Sequence, residues 1–187
     1  MKKIVAVIIF LVGFLFAVSP AHCKTKNIIP NGSFEIKTTD NKPEGWLTKT
    51  FRGTSAEFAF NDAEKHSDSY SYMIKINPPG GSVLFYPEKK LSKIKPGKKY
   101  QFSVWVKGKG LGYSPNFIAP AIRVNYKPKR LSPVPTIDLM LEMKGASDWK
   151  NLTLTTVAPP DAKYITLDFL LTKGIVWIDD VEITEVE

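Results

Sequence analysis

Apolar and polar residues alternate along most of this chain, and the alternation is interrupted roughly every dozen residues by Gly, Pro, Asn or Asp. Helical periodicity is scarce. In the clearest segment Tyr100, Phe102, Val104 and Val106 share one face of a strand, and Gln101, Ser103, Trp105 and Lys107 share the other. The same rhythm sets Tyr70, Tyr72, Ile74 and Ile76 on one face, and Ile122, Val124 and Tyr126 against Ala121, Arg123 and Asn125. Further along, Ile137, Leu139, Leu141 and Met143 oppose Asp138, Met140 and Glu142, and Ile165, Leu167, Phe169 and Leu171 oppose Tyr164, Thr166, Asp168 and Leu170. Adding Ala56 to Phe60, Val83 to Tyr86, Trp149 to Val157 and a strand at each end predicts nine or ten strands in one domain. Strands of this kind bury one face each when two antiparallel sheets stack, so the expected fold is an all-β two-sheet sandwich.

Turn chemistry supports the spacing. Ile94-Lys95-Pro96-Gly97-Lys98 reads as a hairpin joint, because Pro presets the first turn angle and Gly accepts the positive φ that follows. Pro43-Glu44-Gly45-Trp46 reads as a turn that delivers an aromatic ring. Gly108-Lys109-Gly110-Leu111-Gly112 lacks the spacing and following helix of a phosphate site, and is expected to be a connector.

The two ends of the mature chain carry the least ordinary chemistry. Asn27 to Ile36 and Val176 to Ile183 are both short apolar strand signals that hold carboxylates, Glu35 in the first and Asp179 and Asp180 in the second. If the ends pair, these carboxylates approach one another and repel unless a cation sits between them. The alternative is that they face water at strand ends.

Met1-Lys2-Lys3, the apolar run Ile4 to Val18 and the small residues Ser19 to Ala21 form the three regions of a secretory signal, too short for a comfortable membrane span. Cleavage after Ala21 or after Cys23 satisfies the small-residue requirement, and His22 fits poorly with lipid attachment at Cys23. The expected division is therefore a signal over 1–23 and a β-sandwich over 24–187, released outside the cell, into a periplasm or at a cell surface. No integral membrane segment follows. Cys23 is the only cysteine, so no internal disulfide staples the domain. The formal charge of +8 becomes +6 once Lys2 and Lys3 are removed. That balance suits a solvated basic surface, or contact with an anionic glycan or envelope surface; nucleic acid is not expected, because export removes it and no recognition motif is visible.

Four stretches, in order, resemble one known group: Asn31-Gly32-Ser33-Phe34-Glu35, Pro43-Glu44-Gly45-Trp46, Ile94-Lys95-Pro96-Gly97 through Lys107, and Trp177-Ile178-Asp179-Asp180-Val181. Together they are similar to carbohydrate-binding modules of families four, nine and twenty-two, which are galactose-binding-like jelly rolls. The resemblance implies a structural calcium held by Glu35, by Asp179 or Asp180, and by carbonyls of a loop resembling His66 to Ser71, including Ser67. Asp68 stands where that family usually has glycine, and Asp tolerates left-handed backbone better than most residues. The resemblance also implies a poly- or oligosaccharide cleft that combines an aromatic floor with planar polar groups, for which the polar strand faces offer Trp105, Gln101, Arg123, Asn125, Asp138, Glu142 and Asp168. Trp46, Tyr86, Tyr113 and Phe117 are loop alternatives for the aromatic ring, and Trp177 is expected in the core.

Binding is favoured over catalysis. A β-sandwich glycoside hydrolase or lyase needs carboxylates opposed across a cleft, and nothing in the sequence marks Glu142 with Asp138 or Asp168 as such a pair. After signal removal His66 is the only histidine, which leaves no material for a zinc site or a His-dependent triad.

Overall fold

The computed structural model describes residues 26–77, 81–91, 94–112, 120–128, 138–143 and 148–187. The signal segment and the loop aromatics Tyr113 and Phe117 lie outside these residues, as do the side chains of Asp138 and Glu142. The described chain forms ten strands: β1 (Trp46–Phe51), β2 (Ser55–Asn61), β3 (Ser71–Asn77), β4 (Ser82–Pro87), β5 (Lys99–Lys109), β6 (Ala121–Pro128), β7 (Asp138–Glu142), β8 (Lys150–Val157), β9 (Ala162–Leu171) and β10 (Gly174–Val186). They make two five-stranded antiparallel sheets, β1-β4-β9-β6-β7 and β2-β3-β10-β5-β8. This is the two-layer jelly roll that the alternation predicts.

The core lies between the layers and is built from the predicted faces. Ile74, Phe85, Val104, Val106, Ile122 and Phe169 are completely buried. At its centre Phe34, Trp46, Tyr72 and Phe85 pack as one aromatic cluster, with Trp46 stacked on Phe85 at 4.6 Å between ring centroids. Large apolar rings contribute most of the burial available to a domain without disulfides.

The amino-terminal segment differs from its expected form. It is a series of turns and not a strand, because Asn31 and Phe34 adopt positive φ, 46° and 57°. The segment nevertheless lies against β10: Ile28 N–H donates to Ile183 O at 3.0 Å and Val181 N–H to Gly32 O at 2.9 Å. Gly32 is required there, since a Cβ would meet Val181 O at 2.0 Å. The two ends thus meet, although only one of them is a strand.

The Lys95 to Lys98 turn forms as read, with Gly97 at φ 76° and Lys98 N–H donating to Lys95 O. It is not a hairpin joint, however, because β4 and β5 belong to opposite sheets. Its polar groups reach Ala158 at the end of β8. Trp46 is likewise no loop residue. It opens β1, is 4% exposed, and donates its indole N–H to Pro30 O and Asn31 O.

β10 contains a bulge between Asp179 and Glu182, with Asp180 at φ 47°. A bulge inserts one unpaired residue and so reverses the facing of everything beyond it. Val176 and Ile178 point into the core before the bulge, Val181 and Ile183 after it. Trp177 therefore leaves the core face that its spacing with Val181 and Ile183 predicts, yet stays 8% exposed.

Candidate functional site

Two polar constructions occupy the outer faces of the two sheets. The first lies on β1-β4-β9-β6-β7. Since Ile122, Val124 and Tyr126 enter the core, Arg123 and Asn125 face outward from β6, and by the same alternation Tyr86 faces outward from β4 and Thr166 and Asp168 from β9. Strand register sets Arg123 opposite Asp168 and Asn125 opposite Thr166, and β7 places Asp138 opposite Asn125 and Glu142 opposite Ala121.

Arg123 Nη2 pairs with Asp168 Oδ2 at 3.2 Å. Two groups on this face stay unanswered: Arg123 Nε and Asn125 Oδ1 are buried and have no hydrogen-bond partner among the described residues. Asn125 is 4% exposed. A buried polar atom left unpaired costs about 1–3 kcal/mol, so two on one strand face call for a ligand or ordered water. Beside them, Tyr86, Glu88, Lys89, Lys90, Thr166 and Asp168 line a hollow of about 280 Å³. Lys90 Nζ lies 4.8 Å from the Tyr164 ring centroid.

This arrangement selects for a chemistry. Arg Nε–H needs an acceptor and Asn Oδ1 needs a donor, and two positions along a strand separate them by about 7 Å. A ligand studded with hydroxyls meets both needs at once, because each hydroxyl donates and accepts. A polyanion accepts only and would leave Asn125 unanswered. Asp168 is engaged by Arg123.

The second construction covers the outer face of the other sheet, where the loop between β2 and β3 folds over β5 and β10. Asp179, fully buried, accepts the backbone N–H groups of His66 and Ser67 on Oδ2 and that of Asp180 on Oδ1. Glu35 Oε1 accepts the N–H groups of Ser69 and Tyr70 at 3.1 and 2.9 Å. Asp180 receives the Ser67 hydroxyl at 2.8 Å and meets His66 Nδ1 at 2.7 Å. Glu35 and Asp179 therefore grip the same loop from two sides, and Asp68 takes the left-handed conformation at its crest, φ 45°.

Burial pushes the Asp179 carboxyl up to about 6, against the opposing effect of its backbone hydrogen bonds. No cationic side chain pairs with Asp179 among the described residues, and no group of three or more His, Cys, Asp and Glu gathers there as a metal cluster. The donors fit a hard dication all the same. Asp179 Oδ1 carries one hydrogen bond, Glu35 Oε2 carries none among the described residues, and calcium completes its shell readily with main-chain carbonyls. Both oxygens of Asp180 are taken up by His66 and Ser67, so Asp179 is the better of the two aspartates for such a role.

The sequence-derived ligand residues thus fall into three places. Arg123, Asn125 and Asp168 share one face, with the backbone positions of Asp138 and Glu142 beside them. Gln101 and Trp105 lie on the opposite sheet, and Trp46 is in the core between. One cleft cannot contain all of them. Trp105 is also occupied: the His66 ring stacks on it at 3.7 Å and 14°, and Trp149 approaches His66 edge-on. We expect Trp105→Ala to lower stability by about 1–3 kcal/mol through loss of this stack, while glycan binding stays within twofold of wild type; calorimetry on one sample measures both. Tyr86 and Thr166 are the outward residues that sequence reading underweighted. Both sit at alternate positions of strands whose other face is apolar, the signal that did expose Arg123 and Asn125.

No protein-family model and no curated protein matches the chain. Solved structures do match its fold. The second module of carbohydrate-binding family 16 superposes with a TM-score of 0.57 at 16% identity, covering 86% of this chain and 100% of that one. A family 61 module in complex with β-1,4-galactotriose gives 0.54 at 14% identity over 87% and 100% of the two chains. The enzymatically active domain of tailspike protein 4 from bacteriophage CBA120 gives 0.65 at 14% identity over 86% of this chain, which spans only 21% of that one. Modules of families 4 and 22 also match, in keeping with the family resemblance of the four sequence stretches. The fold is that of a carbohydrate-binding-module β-sandwich.

Proposed function

We propose that this protein is a secreted, non-catalytic carbohydrate-binding protein that holds a poly- or oligosaccharide across the outer face of β4, β9 and β6. The observation that carries the reading is the pair of buried, unanswered groups, Arg123 Nε and Asn125 Oδ1, beside a hollow walled by Tyr86, Thr166 and Asp168. Its neighbours in fold include a xylan-binding domain from Paenibacillus barcinonensis as well as the galactotriose complex. Titration of soluble xylan, β-1,4-galactan, β-glucan and acidic glycans tests it. Binding to at least one neutral glycan is expected, and a panel without any binder would overturn the reading.

A second reading draws on Lys89 and Lys90 at that hollow and on Lys26, Lys95 and Lys98 around another at the end of β10. These would meet an anionic glycan or an envelope surface. Such binding should collapse at moderate salt, whereas hydroxyl recognition should survive it.

We also assign a structural calcium to Glu35, Asp179 and the carbonyls of the His66 to Ser71 loop. An ion that binds only the folded state stabilises by mass action, by roughly 2.7 kcal/mol at a hundredfold excess over its dissociation constant. Calcium chelation should lower the melting temperature and added calcium should restore it; identical melting curves would remove the ion from the description.

A further inference from the structure

β8 closes one sheet, and among the described residues its outer side has no neighbour: the order runs β2-β3-β10-β5-β8, and β8 pairs with β5 alone. That ladder runs from Lys150 to Val157 without a register shift, so the free edge is regular over its whole length. Leu152 and Leu154 turn toward the core, whereas Asn151, Thr153, Thr155 and Val157 face outward and are exposed. Edge strands normally carry a device against pairing with another chain, such as a charge within the strand, a proline or a bulge. β1 has Lys49 and β2 has Glu57. β8 has none of these: from Asn151 to Ala158 the chain holds no charged residue, no Pro and no Gly, and Pro159 comes only after the strand has ended.

The edge is also complementary to itself. Two β8 strands laid antiparallel keep inward residues opposite inward ones only when the paired positions are both odd or both even. Centring the pair on Leu154 meets that condition. It sets Leu154 of one copy opposite Leu154 of the other, Leu152 opposite Thr156, Thr153 opposite Thr155 and Asn151 opposite Val157, and it leaves Lys150 outside the ladder. Threonine pairs across antiparallel strands are favourable and no like charges meet. Leu154, only partly buried in one copy, gains an apolar cover on the inner side.

We propose that β8 is a dimerisation edge whose partner is a second copy of this chain, so that two five-stranded sheets join into one continuous layer. The contact is isologous, because the same strand serves on both sides. Pairing that keeps inward faces together places the two-fold axis perpendicular to the layer. The second sheet of each copy then lies on the same side of it, and the outer faces of β4, β9 and β6 of the two copies look the same way. The functional consequence rests on the glycan reading above: two grooves presented in one direction engage a polysaccharide surface together, which strengthens retention by about 10²–10⁴ where both can reach. The pairing itself does not depend on what the grooves bind.

Sedimentation equilibrium of the purified protein, with a reductant to exclude bridging through Cys23, should show monomer and dimer in exchange. Thr153→Lys combined with Thr155→Lys sets lysines opposite lysines at both outward pairs. It should leave monomer alone, with an unchanged circular-dichroism spectrum because both positions are exposed. Thr153→Glu combined with Thr155→Lys sets opposite charges across the two-fold axis and should restore the dimer; a register centred on Thr153 would instead oppose glutamates, so this variant reads the pairing itself. A wild-type protein that is monomeric up to its solubility limit, a double-lysine variant that still dimerises, or a glutamate-lysine variant that does not would overturn the proposal. Retention on immobilised polysaccharide should fall by about 10²-fold or more in the double-lysine variant, while its affinity for a short soluble oligosaccharide stays at the wild-type value. Failure of the glycan reading shows separately, as no binding by monomer or dimer, and leaves the sedimentation result to decide the pairing.

Discussion

Replacing Asn125 by alanine should weaken glycan binding by about 10- to 100-fold and leave the melting temperature unchanged or slightly raised. The asymmetry follows from the free protein. Asn125 Oδ1 is buried without a partner among the described residues, so its removal relieves a penalty in the unliganded state and takes away a hydrogen bond only when ligand is bound. A buried hydrogen bond whose loss leaves the other partner unpaired is worth about 1.5–3 kcal/mol, which is the range stated. Arg123→Lys separates charge from geometry on the same strand. Lysine retains an ammonium for Asp168 but has no Nε–H in the plane of a guanidinium fork, so binding should fall although the ion pair persists. Isothermal titration with the best oligosaccharide measures both variants. Undiminished affinity in Asn125→Ala would place the groove elsewhere.

Asp179→Ala should be the most destabilising single substitution on the loop side, by about 4 kcal/mol. Its two oxygens accept three backbone N–H groups, from His66, Ser67 and Asp180, all in a fully buried setting. Each orphaned donor costs about 1–3 kcal/mol, partly recovered as the loop relaxes toward water. For a domain of this size that corresponds to a melting point lower by about 8–16 °C. Asp179→Asn should lie between, since one oxygen remains for the His66 and Ser67 pair while the amide faces the Asp180 N–H.

The pH dependence of the same group has a definite sign. Its folded pKa, about 6, exceeds the ordinary 3.8, so the folded state holds the proton more tightly than the unfolded state. The stability it contributes is present in full below about 4 and is lost as the pH rises through 6. The difference of about two units is on the order of 3 kcal/mol. Calcium at the ionised carboxylate would offset that loss. Melting curves of ion-stripped and calcium-loaded protein should therefore coincide near pH 4.5 and separate above pH 6. A stripped protein whose stability is level across this window would show that the hydrogen bonds alone keep Asp179 ionised at no cost.

Much of the architecture is legible in the residues because a strand with one buried face needs only alternation to declare itself. β5 was readable to within a residue from Tyr100, Phe102, Val104 and Val106 behind the Pro96-Gly97 turn. Its neighbours were not, because a turn specifies a change of direction and says nothing about which sheet receives the chain. The facing of Trp177 depended on one extra residue at Asp180, and a bulge leaves no trace in hydrophobic spacing until its far side is known to be core. The opening segment reads as a strand because Ile28, Ile29 and Phe34 are apolar, whereas Asn31 and Phe34 turn through positive φ.

The groove residues Arg123, Asn125 and Asp168 were visible as polar members of otherwise apolar strands. Trp105 was visible for the same reason, but what covers it, the His66 ring, comes from a loop nearly forty positions earlier. Nothing local distinguishes an indole awaiting a ligand from one already covered. Trp46 reads as a loop ring because it follows a glycine turn, and only the carbonyls of Pro30 and Asn31 explain why its N–H is satisfied inside.

The single inserted residue in β10 bears on any attempt to transplant this layer into another scaffold. Upstream of Asp180 the strand anchors the loop on the outside through odd-numbered positions, and downstream its odd-numbered positions fill the interior. A graft that kept residue 180 but straightened the strand into regular pairing would send Val181 and Ile183 to solvent and Glu182 and Thr184 inward. The strand can therefore be moved only as a whole, with its kink.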